Sequence, residues 1–428
     1  MTTDGTTTTS GQRAPSSLRR RLLPLYVATV LQGFLLWVPI EKLFMNEIGF
    51  TAATVGLMAA AYAAMVPIVE IPSGILADRW SRRGVLIVAG LALAANSLLG
   101  GLSNSVQTYV LSVLPLGVYF AMYSGTMDSI IYDTVLEETG GSDSFERVLG
   151  RVRFVESISL VASALAGGVI ANLASTRVTY FLTVPFAVLS VLALLRFREP
   201  TLHKTSEKVP VRAQVAQTYR TLTRGGHLRA VVALAVLTAV LLQVIFEFGP
   251  LWLIALSAPA LFFGPFWAAM VATLGLGGLL AGRLGLDRPA RLGAAVVVLI
   301  GGGLALVSSG SVAVITMAQV ALALLLVVAG IHATKRLHDA VPSSVRSGVA
   351  SGVGALTWIA FLPVAGVFGL LGEGLGVRRA GWVIVGALVL AAVMLVRVTR
   401  GPAAPVPDAT VPDADGPADA EPALACAR

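Results

Sequence analysis

GILADRWSRRG, residues 74–84, interrupts a chain that is apolar on both sides of it: an aspartate and three arginines fall within the six positions Asp78 to Arg83. Outward from this cluster the sequence reads as one long apolar stretch after another, separated by short polar breaks. Of the 428 residues 56% are hydrophobic and 13% charged, and the mean hydropathy is +0.82. A soluble domain carries about a quarter of its residues as charges. A helix crosses the hydrocarbon layer with about 20 apolar residues. Twelve stretches of that kind are expected, over 22–44, 53–76, 84–103, 106–131, 152–173, 177–196, 229–255, 260–283, 289–308, 311–334, 345–371 and 379–397. Their continuous Leu, Ala and Val content excludes a transmembrane barrel, whose strands alternate in polarity over about 10 residues. The predicted fold class is therefore an all-α membrane protein, twelve helices in two six-helix pseudo-repeat bundles.

The net charge of +8 follows the same topology. With both termini inside, 27 of the 31 basic residues fall on the inner side, leaving Lys42, Arg177, Arg378 and Arg379 outside. This is the positive-inside pattern, and it accounts for the basicity without nucleic acid. Residues 1–21 read as a cytoplasmic tail before a retained first helix, 22–196 as the first bundle, 197–228 as a cytoplasmic linker, 229–399 as the second bundle and 400–428 as a disordered tail. GLLAGR at 278–283 follows the eighth stretch as GILADR at 74–79 follows the second, as an internal duplication requires, with Gly282 in place of the aspartate. The single cysteine, Cys426, excludes a disulfide framework or thiolate metal site. No phosphate-cradling G-x-x-x-x-G-K-S/T loop and no Ser/His/Asp or metal-ligand spacing occurs, so neither an enzyme, a cofactor nor an ATP-driven pump is expected. The bias toward arginine, alanine and glycine points to a bacterial source, hence a multi-pass protein of the bacterial cytoplasmic membrane.

The loop between the second and third stretches resembles the signature of the major facilitator superfamily, G-x-L-A-D-R-x-G-R-R/K, here Gly74-Ile-Leu-Ala-Asp78-Arg79-Trp-Ser-Arg82-Arg83, with Ser81 where glycine is usual. Glu70-Ile-Pro-Ser-Gly74 and SGTMDSIIYDTVLEETG (124–140) are similar to the drug and natural-product efflux subset. The resemblance implies alternating access and a gate in which Asp78 docks on the start of the eleventh helix at PSSVRSG (342–348), near Arg346. Gly74, Asp78, Arg79, Arg82, Arg83, Asp133 and Arg346 form that expected gate, with the arginines pairing to Asp133, Glu137 or Glu138. An aspartate at a helix N-terminus meets unpaired amides and a positive dipole end. The helix-five stretch SLVASALAGGVIANL (159–173) keeps Gly167-Gly168 of the antiporter motif but has no proline.

Ionisable groups inside spans cost about 2.5–3.5 kcal/mol each on insertion scales, so each needs a reason. The superfamily places helices one, four, seven and ten around a central cavity, which makes Glu247, Asp128, Glu41 and Glu70 the proton-coupling candidates, Glu247 first. Asp133 and Glu156 are equally readable as salt-bridge partners of Arg151 and Arg153. Tyr26, Gln32, Trp37, Tyr119, Tyr123, Gln243, Phe246 and Gln319 form the pool of cavity candidates, each also readable as helix packing. The expected partners are a small-molecule substrate, protons and the lipid bilayer, in a monomer; the expected activity is proton-coupled efflux of a small amphipathic compound. A proton- or sodium-coupled importer is the alternative, and a non-transporting receptor or scaffold the remoter one.

Overall fold

The computed structural model describes residues 16–140, 144–200, 226–340 and 346–401, with the backbone alone at 16, 66–67, 70–75, 77–79, 124–125, 146, 226, 282, 338, 346–348 and 350–351. The expected tails, most of the linker, and the side chains of Glu70, Asp78, Arg79 and Arg346 lie outside the described residues, as do the surroundings of Gly74. The described residues form α1 (Ser16–Gly33), α2 (Glu41–Glu47), α3 (Ala52–Arg79), α4 (Arg82–Leu102), α5 (Val106–Thr139), α6 (Phe145–Leu173), α7 (Thr176–Leu195), α8 (Gly226–Ala255), α9 (Ala260–Leu284), α10 (Pro289–Ser308), α11 (Val312–Asp339), α12 (Arg346–Leu375) and α13 (Val377–Arg400), and no strand. Counting α1 and α2 as one span, eleven spans are long and apolar enough to cross a bilayer; α3, 28 residues long, completes twelve. Helices suit this setting because they satisfy every interior backbone group within the segment.

The starts of these helices follow local chemistry. Thr51 caps α3 and Ser105 caps α5, each in a reciprocal box with the threonine three residues on. Ser81, Ser175 and Ser311 cap α4, α7 and α11 in the simpler way, each hydroxyl accepting from an amide that the helix leaves unpaired. Gly140 closes α5 with a left-handed backbone, φ +70°.

The first span departs from expectation. Rather than one helix over 22–44, α1 stops at Gly33, the chain passes through a 3-10 turn at Val38–Ile40, and α2 restarts at Glu41. Pro39 supplies the reason: it has no amide to continue the ladder and sits in the first turn of the new element. The break turns the consecutive residues Glu41 and Lys42 into the first turn of α2.

Spans one, three, four and six pack chiefly within the first half, with α4 against α5 and α7, and α1 against α6 and α7; in the second half α11 packs on α8 and α9, and α10 on α13. Two long seams join the halves, α3 with α12 and α6 with α9. Backbones touch along both. A Cβ at Gly168 would lie 2.8 Å from the backbone of Gly264, and one at Gly56 2.5 Å from the carbonyl oxygen of Ala365. Gly167 faces the other way, where a Cβ would meet Leu36 in the break of the first span. The Gly167-Gly168 doublet therefore seats the broken span on one face and the opposite half on the other.

Candidate functional site between the two halves

Arg19, Arg20, Arg21, Arg82, Arg83, Arg229, Arg336, Arg397 and Arg400 mark one end of the bundle, called the basic end. The hydrogen bonds and close approaches joining described residues of the two halves fall near the opposite end or toward the middle. There the α2 restart aims Lys42 across the divide. Its ammonium donates to Glu247 Oε1 of α8 at 2.5 Å and pairs with Glu41 Oε2 at 3.1 Å. Lys42 is 5% exposed, whereas Glu247 keeps 27%. Lys42, expected at the outer end of the first span, is thus a buried cation between two carboxylates. The sequence shows no basic neighbour for Glu247 because 205 positions separate the two.

The polar chain continues into the first half. Tyr109 donates to Glu41 Oε1 at 3.1 Å, and its hydroxyl lies 2.8 Å from that of Tyr180. Phe44 and Phe50 pack on Tyr109, and Trp37 stacks on Tyr180 at 5.3 Å. The aromatic cluster excludes water from the carboxylate it surrounds, which strengthens each polar contact inside it. A second cross-half contact lies nearby: the Ala53 amide, in the first turn of α3, donates to Glu373 Oε2 of α12 at 3.1 Å. Nearer the middle, Tyr62 of α3 meets Trp358 of α12 edge-on, 6.1 Å between ring centroids.

The cavity candidates separate. Gln32 is buried and donates to Ser190 Oγ at 3.3 Å; Gln319 is buried and donates to the Gly249 carbonyl at 3.3 Å. Trp37 belongs to the aromatic cluster above. These three fill seams within one half, because a buried amide or indole in a helix bundle packs where a neighbouring backbone leaves room. Tyr119 and Tyr123, also buried, stack at 5.5 Å, and the Tyr123 hydroxyl donates to Glu156 Oε1 at 3.3 Å. Tyr26, Gln243 and Phe246 stay part-exposed, and Phe246 meets Trp267 edge-on. Aromatic rings missed by sequence reasoning, Tyr62, Trp267 and Trp358, stand beside them; nothing in a lone aromatic on an apolar helix distinguishes a cavity wall from packing.

At the basic end the described charges pair within one half or the other: Arg336 with Asp287 and Lys335 with Asp339 in the second, the remainder in the first. Asp128, expected to face the pathway, bonds Arg153 at 2.7 Å, and the same arginine reaches Glu156 at 3.1 Å. Arg82 pairs with Asp133. Glu137 and Glu138 instead hold Arg21, at 2.9 and 2.7 Å. Arg83 donates to the Phe197 carbonyl at 3.0 Å. Glu199, which sequence reasoning passed over as linker, accepts from Ser81 Oγ and the Arg82 amide, both at 2.5 Å, and from the Arg83 amide at 3.2 Å. It anchors the start of the linker on the N-terminus of α4. Among the described residues no group of His, Cys, Asp and Glu is arranged to hold a metal ion.

Comparison with known proteins places this architecture. The sequence profile described as the Major Facilitator Superfamily matches residues 22–334. The chain belongs to that superfamily. It is similar to the solved nucleoside transporter NupG, with a TM-score of 0.74 at 14% identity over 89% of this chain and 99% of that one. A bacterial homologue of the human lysosomal transporter Spinster, solved in an inward-facing state, gives 0.70 at 15% identity over 91% and 98%, and the D-xylose–proton symporter 0.65 at 15% over 89% and 99%. By sequence, 189 residues are 25% identical to Multidrug resistance protein 1 of Bacillus subtilis (strain 168), covering 44% of this chain and 46% of that protein, so the matched region spans about half of it. The superfamily consists of multi-pass membrane transporters, not enzymes, and the chain has their all-helical fold.

Proposed function

We propose that the protein exports a small amphipathic compound in exchange for protons by alternating access, with Glu247 as the carboxylate that couples the two movements. The observation that carries this reading is the Lys42 bridge between Glu41 and Glu247: it spans the halves, and one of its acids stays accessible. While Glu247 is ionised, Lys42 ties α2 to α8 and the end opposite the basic one stays shut. A proton on Glu247 cancels the charge that Lys42 answers, leaving Lys42 to Glu41 alone, and the halves are released. Removing one partner of a buried ion pair costs about 3–5 kcal/mol, a magnitude sufficient to move a two-state equilibrium by two to three orders of magnitude.

The efflux direction is supported by the resemblance of Glu70-Ile-Pro-Ser-Gly74 and of residues 124–140 to the efflux subset and by the similarity to a multidrug resistance protein. The positive-inside pattern supports a basic end in the cytoplasm of a bacterial cell, with the chain acting as a monomer. Part-exposed Tyr26, Gln243 and Phe246 then offer stacking and an amide to a bound amphipath. Asp128, Glu41 and Glu70 are subordinate candidates for the proton. The Asp78 gate is the proposed counterpart at the basic end, closing when the Lys42 bridge opens.

The test is flux in sealed vesicles under an imposed pH gradient, with cationic, neutral and anionic compounds. Gradient-driven loss of one class, abolished by Glu247→Gln, is the expected result. Uptake running down the proton gradient instead would reverse the direction, and full gradient dependence in the variant would remove Glu247 from the coupling.

A further inference from the structure

A cavity of about 520 Å³ opens at the basic end of the first half, between α1, the C-terminal end of α5 and residues 196–199. Four arginines and three glutamates line it, but their charges are not equivalent. Arg21 is held between Glu137 and Glu138, a triad with one net negative charge. Glu199 is committed to the serine hydroxyl and amides that open α4. Arg20, Arg196 and Arg198 remain, and none of them forms an ion pair with a described acid. Four arginines against three glutamates leave the lining one net positive charge, and the three guanidinium groups that form no ion pair among the described residues keep their donors for an anion. The planar fork of arginine suits the oxygens of a phosphoryl group, which it binds bidentately. The flanks of the cavity are apolar and outward-facing: Leu23 of α1 is 59% exposed, and Leu192 and Leu195 of α7 are 46% and 49% exposed. Basic pockets bordered by such surface, at headgroup depth, recognise anionic lipid.

We propose that this cavity binds a phosphate monoester or diester through Arg20, Arg196 and Arg198, independently of the transported compound. Lipid headgroups and free phosphorylated solutes share this chemistry, and Leu23, Leu192 and Leu195 favour the lipid. Arg21, held by its two glutamates, shapes the wall, and the anion is left to the other three arginines.

The experiment measures the thermal unfolding midpoint of the purified full-length protein in neutral detergent, titrated separately with phosphatidylglycerol, phosphatidylcholine and inorganic phosphate. Phosphatidylglycerol is expected to raise the midpoint where phosphatidylcholine does not. The double variant Arg196→Gln/Arg198→Gln should weaken that response about tenfold in concentration. Glu138→Gln, which strips Arg21 of one partner, should strengthen it. An equal arginine-dependent response to inorganic phosphate keeps the site and assigns it to a soluble ligand. The proposal is overturned by equal responses to the two lipids, or by a double variant that titrates like the parent. Should the double variant not fold, Glu138→Gln decides alone: an unchanged or weaker response rejects the site.

Discussion

The two ends of the bundle use charge in opposite ways. Near the end opposite the basic one, the ion pairs and amide contacts cross between halves: Lys42 with Glu247, and Glu373 with the start of α3. At the basic end each described pair stays inside one half: Arg82 with Asp133, Arg21 with Glu137 and Glu138, and Arg153 with Asp128 and Glu156 in the first, Arg336 with Asp287 and Lys335 with Asp339 in the second. A cross-half pair must break when the halves part, so its energy enters the conformational equilibrium. A pair within one half moves as a rigid unit and contributes to stability alone. The difference teaches that the number of charges at one end says little about gating; what matters is whether the partners belong to different rigid bodies.

Removing the buried cation is the strongest way to break that contrast. Lys42→Met leaves Glu41 and Glu247 facing one another without a counter-ion, and the closed state should lose about 3–5 kcal/mol. A thiol probe placed at that end, on α2, should become accessible to an impermeant reagent; unchanged labelling would deny Lys42 its bridging role. Next in size, Gly264→Leu drives a side chain into the Gly168 backbone and should cost about 1–3 kcal/mol by overpacking, again opening this end rather than unfolding one half. Labelling that stays at the parent level, with an unaltered unfolding midpoint, would show that the seam yields.

Asp128→Asn sharpens the comparison from the other side. Its arginine partner is 45% exposed and Asp128 43%, and an exposed pair contributes about 0.2–1 kcal/mol. Gradient-driven flux should therefore fall far less than in Glu247→Gln, and an equal fall would shift the coupling into α5. The smallest effect concerns Asp287, between α9 and α10. Burial, which alone would raise its pKa, is outweighed by the hydrogen bond from Arg336 at 2.6 Å and by nearby positive charge, so its carboxyl titrates below the ordinary range. A depressed folded-state pKa stabilises above the unfolded value and is lost as pH falls through the folded one. Asp287→Asn should thus lower the unfolding midpoint slightly at neutral pH and not at the acid end of that window; a difference constant with pH would contradict the linkage.

Much of this was legible in the order of residues. Twelve apolar stretches require helices because lipid offers no partner for a free amide or carbonyl, and their lengths follow from bilayer thickness. The GILADRWSRRG loop points to the superfamily for a similarly local reason. The choice of Glu247 also rested on a local fact, a carboxylate deep in an apolar run. The break at 34–40 was less readable, since Pro39 near the end of a span is compatible with an early stop or a restart.

What tertiary structure alone decided is which charges meet. Lys42 read as an outer-side cation at the end of the first span until the break turned it inward, and Glu247 gained a partner 205 positions away. Glu199 passed as a linker residue until the fold set it over the N-terminus of α4. Gln32, Trp37 and Gln319 looked like cavity walls until neighbouring helices closed on them. The physical reason is common to all of these. Transfer from water to lipid is a property of each segment by itself, so sequence determines the spans; pairing depends on the rotation and depth of two helices at once, and that is settled only when they pack.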